Sequence, residues 1–187
     1  MITITLSLVF PRINSAQEKI EREYGIKKRD VPEPAIEWMQ DAFEGFKRIK
    51  WYYEESSDGN SYEAKLKWKG YHYSVEFDTT GIIEDIEMNI PVEELSEEAR
   101  RNITEWMNSS YLKHRIIKIQ KQFKGDSDDL EDLMDENETE RIEVFYEIEY
   151  HGKTKTENEL WEGLFDSQGV HVQTRKIVRN PSNNLEF

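Results

Sequence analysis

The chain contains no cysteine among its 187 residues. Disulfides, thiol nucleophiles and thiolate metal ligands are thereby excluded. Apolar residues are scarce as well, at 36%, which is low for a globular domain. Aromatics at 12% partly compensate, because each buried ring removes a large area from water. Basic residues are outnumbered: 25 Lys and Arg face 39 Asp and Glu, for a net charge of -14. A field of that sign repels phosphate backbones and anionic lipid surfaces, which argues against nucleic-acid and membrane-surface partners. No apolar run approaches the ~20 residues of a membrane span.

The usual marks of catalysis are missing too. There is no Gly-x-Ser-x-Gly elbow. The nine glycines form no Gly-rich run ahead of a helix, where phosphate would bind. The four histidines, His72, His114, His151 and His171, show no i,i+4 pair and no His-Glu-x-x-His pattern. Paired carboxylates are plentiful, but in so acidic a chain they single nothing out. No cofactor or metal is expected, and the chain does not read as an enzyme.

What is present is mostly pattern. Ile2 to Phe10 form an apolar run, and Asn14-Ser15-Ala16 precede an abrupt polar turn at Gln17-Glu18-Lys19. This reads as a secretory signal over 1–16, cleaved after Ala16. The competing reading is an edge strand, since Ile2, Ile4, Leu6 and Leu8 alternate with polar residues. A charged segment, 17–30, follows. Pro34 then suits the first turn of a helix whose stripe is Ile36, Met39, Phe43 and Phe46, widened by Trp38 and Ala42.

Four strand candidates come next. Ile49, Trp51 and Tyr53 alternate with Lys50, Tyr52 and Glu54. Tyr62, Ala64, Leu66 and Trp68 alternate with charged residues, and Tyr71, Tyr73, Val75 and Phe77 alternate with His72, Ser74 and Glu76. Ile82, Ile86, Met88 and Ile90 supply the fourth. The order then repeats. Ser96 is a plausible helix N-cap, with Ala99, Ile103, Trp106, Met107 and Tyr111 on one face. Strand patterns follow around 115–123, 142–150, 153–165 and 170–178. Phe77-Asp78-Thr79-Thr80-Gly81 recurs as Phe165-Asp166-Ser167-Gln168-Gly169, each a hairpin turn with Gly where positive φ is needed. The expected fold is therefore α+β: two tandem units, 31–90 and 91–179, each a helix plus a four-stranded antiparallel sheet, with a tail at 180–187. The second unit carries an insertion, 125–140, in which nine of the fifteen residues from Asp126 to Glu140 are acidic. It reads as a solvated loop, since like charges repel. It fails the EF-hand pattern, because Glu131 stands where glycine is needed.

The apolar strand faces belong under the helices. The opposite, open face carries Lys50, Tyr52, Glu54, Lys65, Lys67, His72, Glu76, Ile83 and Asp85, then Phe145, Glu147 and Glu149, with His171 a further candidate. Tyr52, His72, Ile83 and Phe145 are the candidate partner-binding residues, because aromatic and apolar anchors among polar neighbours are typical hot spots. A plain solvated sheet face is the competing reading.

Lys50-Trp51-Tyr52-Tyr53-Glu54, Ser61-Tyr62-Glu63-Ala64-Lys65, Tyr73-Ser74-Val75-Glu76-Phe77-Asp78, and Gly81 with Ile86-Glu87 carry a family resemblance. The chain resembles the PepSY-like group, also called β-lactamase-inhibitor-like proteins, which are typical exported proteins of Bacteroidetes. The resemblance spans about 31–178 and is strongest in the first unit. It implies tandem helix-plus-four-strand units, a periplasmic or secreted location and no catalysis. It also implies use of the concave sheet face, as in the better-known inhibitor of this architecture. The absence of cysteine and the acidic insertion depart from it, and no inhibitory contact residue carries over. The expected function is an exported noncatalytic module that binds a protein or peptide through the open sheet face. The alternative is a cation-binding or solubilising envelope protein acting through the acidic insertion, and an enzyme of unrecognised type stands third.

Overall fold

A computed structural model describes residues 17–57, 59–135 and 141–178. The signal reading of 1–16 and the tail at 180–187 lie outside the described residues.

Among the described residues ten strands form a single sheet. They are β1 (Gln17–Lys19), β2 (Glu21–Ile26), β3 (Ile49–Ser56), β4 (Gly59–Trp68), β5 (Tyr71–Phe77), β6 (Ile83–Asn89), β7 (Lys113–Lys124), β8 (Glu143–Lys153), β9 (Asn158–Asp166) and β10 (His171–Ile177). Helix α1 (Glu33–Ala42) precedes β3, α2 (Glu97–Ser110) precedes β7, and α3 (Ser127–Asp135) lies between β7 and β8. The sheet order is β1-β10-β9-β8-β7-β6-β5-β4-β3-β2. Its two outer strands are consecutive in the chain, separated only by Ile20. Lys19 pairs with Ile177 of β10, in parallel, and Glu21 pairs with Ser56 of β3, antiparallel. One short segment thus bridges both edges, and the sheet is rolled into a nearly closed barrel. The charged stretch from Gln17 is this closing piece.

The apolar core lies outside the barrel, between sheet and helices. Period-two alternation puts Trp51, Ala64, Leu66, Tyr73, Val75 and Phe77 on the outer face, against Trp38, Met39, Ala42 and Phe43 of α1 and its C-terminal end. Ile119, Ile148, Tyr150, Trp161 and Phe165 do the same against Ala99, Ile103 and Met107 of α2. Each such side chain, fully buried, contributes about 1.5–3 kcal/mol relative to exposure. Ser96 caps α2 by accepting from the Ala99 amide at 3.1 Å.

The two Asp-x-x-Gly turns are built alike. Asp78 Oδ1 accepts from the amides of Thr80 and Ile82 at 2.8 and 2.9 Å. Asp166 Oδ1 accepts from those of Gln168 and Val170, both at 2.9 Å. Gly81 and Gly169 have φ of +90° and +79°. Each also abuts the start of a helix, α1 for Gly81 and α2 for Gly169: a Cβ on Gly81 would meet Ala35 N at 3.0 Å, and one on Gly169 would meet Ala99 O at 2.4 Å. These turns dock the hairpins onto the helices, and only glycine fits the conformation and the space.

Three expectations are corrected. The acidic insertion is not a plain loop, because α3 buries Leu130, Leu133 and Met134 in the first core. Trp38 Nε1 donates to Ser127 O at 3.3 Å, tying α1 to α3. An i, i+3, i+4 apolar triplet outweighs the charge around it: Asp128, Asp132 and Asp135 stay exposed, and the one buried acid of the helix, Asp129, pairs with Arg141 at 2.8 Å. Ile83 is not on the face opposite the helices. A β-bulge pairs Glu76 with Asp85 but Phe77 with Ile83, so Ile83 turns into the core at 7% exposure while Ile82 is left out at 60%. His171 likewise lies on the helix side, stacked on Trp106 with centroids 4.1 Å apart.

Candidate functional site

Rolling the sheet turns its second face inward. Alternation then aims one set of polar side chains from every strand at a common interior: Tyr52 and Glu54 from β3, Glu63 and Lys65 from β4, Ser74 and Glu76 from β5, and Glu147 and Glu149 from β8. They line a cavity of about 810 Å³. A narrower region of about 350 Å³ shares Glu54, Glu76, Glu87 and Glu147 with it and extends to Asp85, Gln122 and Lys124. The expected open face is therefore a concave, half-enclosed one, with Glu63, Ser74, Asp85, Glu87, Gln120, Gln122 and Glu162 all buried.

Lysines partly neutralise this interior. Lys19, from the closing segment, sits 2.6 Å from Glu162 Oε2 and 2.8 Å from Glu21 Oε1, with Glu147 Oε1 at 4.0 Å. Lys65 bridges Glu23 and Glu63, the latter at 3.0 Å, and its ammonium lies 4.9 Å from the centroid of the Tyr52 ring. Lys118 pairs with Glu149 at 2.8 Å, and Lys124 approaches Asp85 Oδ2 at 3.5 Å. Neutral donors serve the rest. Ser74 donates to Glu63, Gln120 donates to Glu87, and the Gln122 amide donates to Asp85 Oδ2 at 3.1 Å and Glu87 Oε1 at 3.4 Å.

The acids remain in excess, and burial penalises their charge. Burial, with a hydrogen bond to Glu23, pushes Glu63 up to about 7. Burial and the Glu162 carboxylate push Glu147 to about 7, against the pull of Lys19. Burial and neighbouring carboxylates hold Glu76 and Glu87 well above the usual range, and burial raises Asp85. Lys19 and Lys65 suffer the same desolvation, yet the surrounding carboxylates raise both above the ordinary lysine value. Three buried acceptors make no hydrogen bond among the described residues: Glu63 Oε2, which is in an ion pair with Lys65, and Asp85 Oδ1 and Gln122 Oε1. No group of three His, Asp or Glu side chains among the described residues is arranged to hold a metal ion.

Of the four residues singled out from sequence, Tyr52 and His72 line the large cavity. Tyr52 is half-buried and His72 exposed. Phe145 is half-buried, paired with Gln122 and Asp166, and is not among the cavity's lining residues; Ile83 is in the core. The structure thus brings together only the first two. The buried carboxylates, Lys19 and Gln122 were not singled out. Their one signal was the alternation of Glu, Lys and Gln opposite apolar residues on strand after strand, which also describes a solvated face.

Solved structures share this architecture. A DUF2874 family protein from Bacteroides ovatus superposes with a TM-score of 0.53 at 12% identity, covering 83% of this chain and 98% of that one. A BLIP-like protein from Bacteroides fragilis matches with a TM-score of 0.51 at 13% identity, over 84% of this chain and 92% of that one. The chain has the β-lactamase-inhibitor-like fold. This agrees with the resemblance carried by the strand and turn motifs. A further neighbour, from Bacteroides eggerthii, is named a "putative periplasmic" protein and matches with a TM-score of 0.52 at 11% identity, over 78% of this chain and 88% of that one. No family model matches the chain, and no curated protein matches it.

Proposed function

We propose that the protein is an exported, noncatalytic binding module that takes a peptide or an extended protein segment into the concave interior of its BLIP-like sheet. The observation that carries this reading is the cavity of about 810 Å³, a ligand-sized volume whose lining holds more carboxylates than its lysines neutralise. Proteins that need only a stable barrel fill the interior with apolar side chains, whereas this one places its apolar core outside and keeps buried charge within. Tyr52 and His72 offer ring surfaces to an incoming chain. The name of the Bacteroides eggerthii neighbour supports an envelope location, and among the described residues no helix is long and apolar enough to cross a membrane. The matched turns and their matched docking against Ala35 and Ala99 support an origin of 31–90 and 91–179 by duplication.

The test uses a peptide selected from a random display library on the full chain. Tyr52→Ala should weaken its binding at least tenfold with an unchanged melting temperature. Undiminished binding would move the interface off this face.

A further inference from the structure

The narrow region of the cavity contains acceptors with nothing to accept from. Asp85 and Gln122 are 5% and 6% exposed, yet Asp85 Oδ1 and Gln122 Oε1 have no partner among the described residues. Such buried acceptors are costly, because they lose water and gain no partner. Rotating the Gln122 amide offers no relief. Its NH₂ already donates to Asp85 Oδ2 and Glu87 Oε1, and exchange would place the carbonyl against two carboxylates. Three cations line the region: Lys124 pairs with the other Asp85 oxygen, Lys19 with Glu21 and Glu162, and Arg175 comes from β10. Among the described residues Glu76 and Glu87 form no ion pair with a lysine or arginine, and both line the region.

We infer that this region binds a primary alkylammonium group, held by Asp85, Gln122, Glu76 and Glu87. An ammonium carries three donors on a single atom and matches a mixed set of carboxylate and amide oxygens. It also adds positive charge to a lining whose acidic side chains outnumber Lys19, Lys124 and Arg175. An anion would meet carboxylates, and a divalent cation demands closer convergence of oxygens than the described residues show. The inference rests on the interior being the binding face. The group has two sources, a free aliphatic polyamine or a lysine side chain at the end of a bound peptide. The shared chemistry is the ammonium on its alkyl stem, for which the adjoining cavity of about 810 Å³ has room.

Calorimetry on the full chain tests this with four probes: spermidine, a capped Gly-Gly-Lys-Gly-Gly peptide, the same peptide with acetylated lysine, and calcium chloride. The proposal expects at least one ammonium probe to bind. Asp85→Asn should weaken that binding at least tenfold, and Glu98→Gln on the outer surface of α2 should leave it unchanged. Binding of spermidine alone assigns a polyamine; binding of the peptide that is lost on acetylation assigns a lysine side chain. Where Asp85→Asn does not fold, a shift of the Gln122 side-chain amide resonances on adding spermidine to the unsubstituted chain reads the same contact. Binding of neither ammonium probe, binding indifferent to Asp85→Asn, unmoved Gln122 resonances, or preference for calcium would each overturn the proposal. If a lysine-free selected peptide still binds in a Tyr52-dependent way, the broader reading survives that failure; if nothing binds, both fall.

Discussion

Replacing Glu147 with glutamine probes the interior of the sheet through stability. The Glu147 side chain is 14% exposed, and burial pushes its carboxyl from 4.5 up to about 7. At about 1.4 kcal/mol per pKa unit, that displacement corresponds to roughly 3 kcal/mol. The folded chain holds this proton more tightly than the unfolded chain does. The group's contribution to stability is therefore fully present below 4.5 and is lost as pH rises through about 7. Glutamine keeps the shape and never ionises. E147Q should match the parent near pH 4.5. Near pH 8 it should be more stable by up to about 3 kcal/mol, or roughly 6–12 °C in Tm for a chain of this size. Urea unfolding at several pH values across this range reads the difference directly. A variant less stable than the parent at the alkaline end, or a difference independent of pH, would refute the reasoning. The first result would mean that the attraction of Lys19 outweighs desolvation; the second would mean that the carboxyl is solvated.

Other predictions concern the frame around the cavity. Gly169→Ala drives a Cβ to 2.4 Å from the Ala99 carbonyl at a positive φ and should cost more than about 2 kcal/mol, whereas Gly45→Ala, in open space, should cost about 1; paired denaturant melts measure the contrast. Leu130→Ala should cost about 2–5 kcal/mol because Leu130 is fully buried, and a negligible loss would return the acidic insertion to a solvated loop. Ile83→Asp should destabilise by several kcal/mol, on the order of an unpaired buried charge, while Ile82→Asp should be nearly neutral. Equal effects of that pair in thermal melts would contradict the bulge.

The helix stripes and strand alternation were legible because each is a local pattern tied to one apolar face. Trp38, Met39, Ala42 and Phe43 met the core as their spacing implied, although the helix ends at Ala42. The twin turns were legible because Asp and Gly act within five residues. The bulge at Ile83 was not, since one extra residue reverses the face of what precedes it and leaves composition unchanged. Leu130, Leu133 and Met134 did form a visible triplet, but the surrounding charge pointed to solvent. The closure was least legible. Lys19 and Ile177 are far apart in the chain, and the closing segment points Lys19, Glu21 and Glu23 inward, while its other face, Ile20, Arg22, Tyr24 and Ile26, shows an apolar alternation broken by Arg22. A polar interior and a polar exterior look the same along a strand, and only the rolled sheet separates them.

Carboxyl-detected NMR titration of the glutamates tests that separation most directly. The account predicts that the carboxyls of Glu63 and Glu147 titrate near 7, well apart from the exposed glutamates. Titration of both at the ordinary value of 4.5 would show a face open to water and would contradict the half-enclosed, under-neutralised cavity on which the functional reading stands.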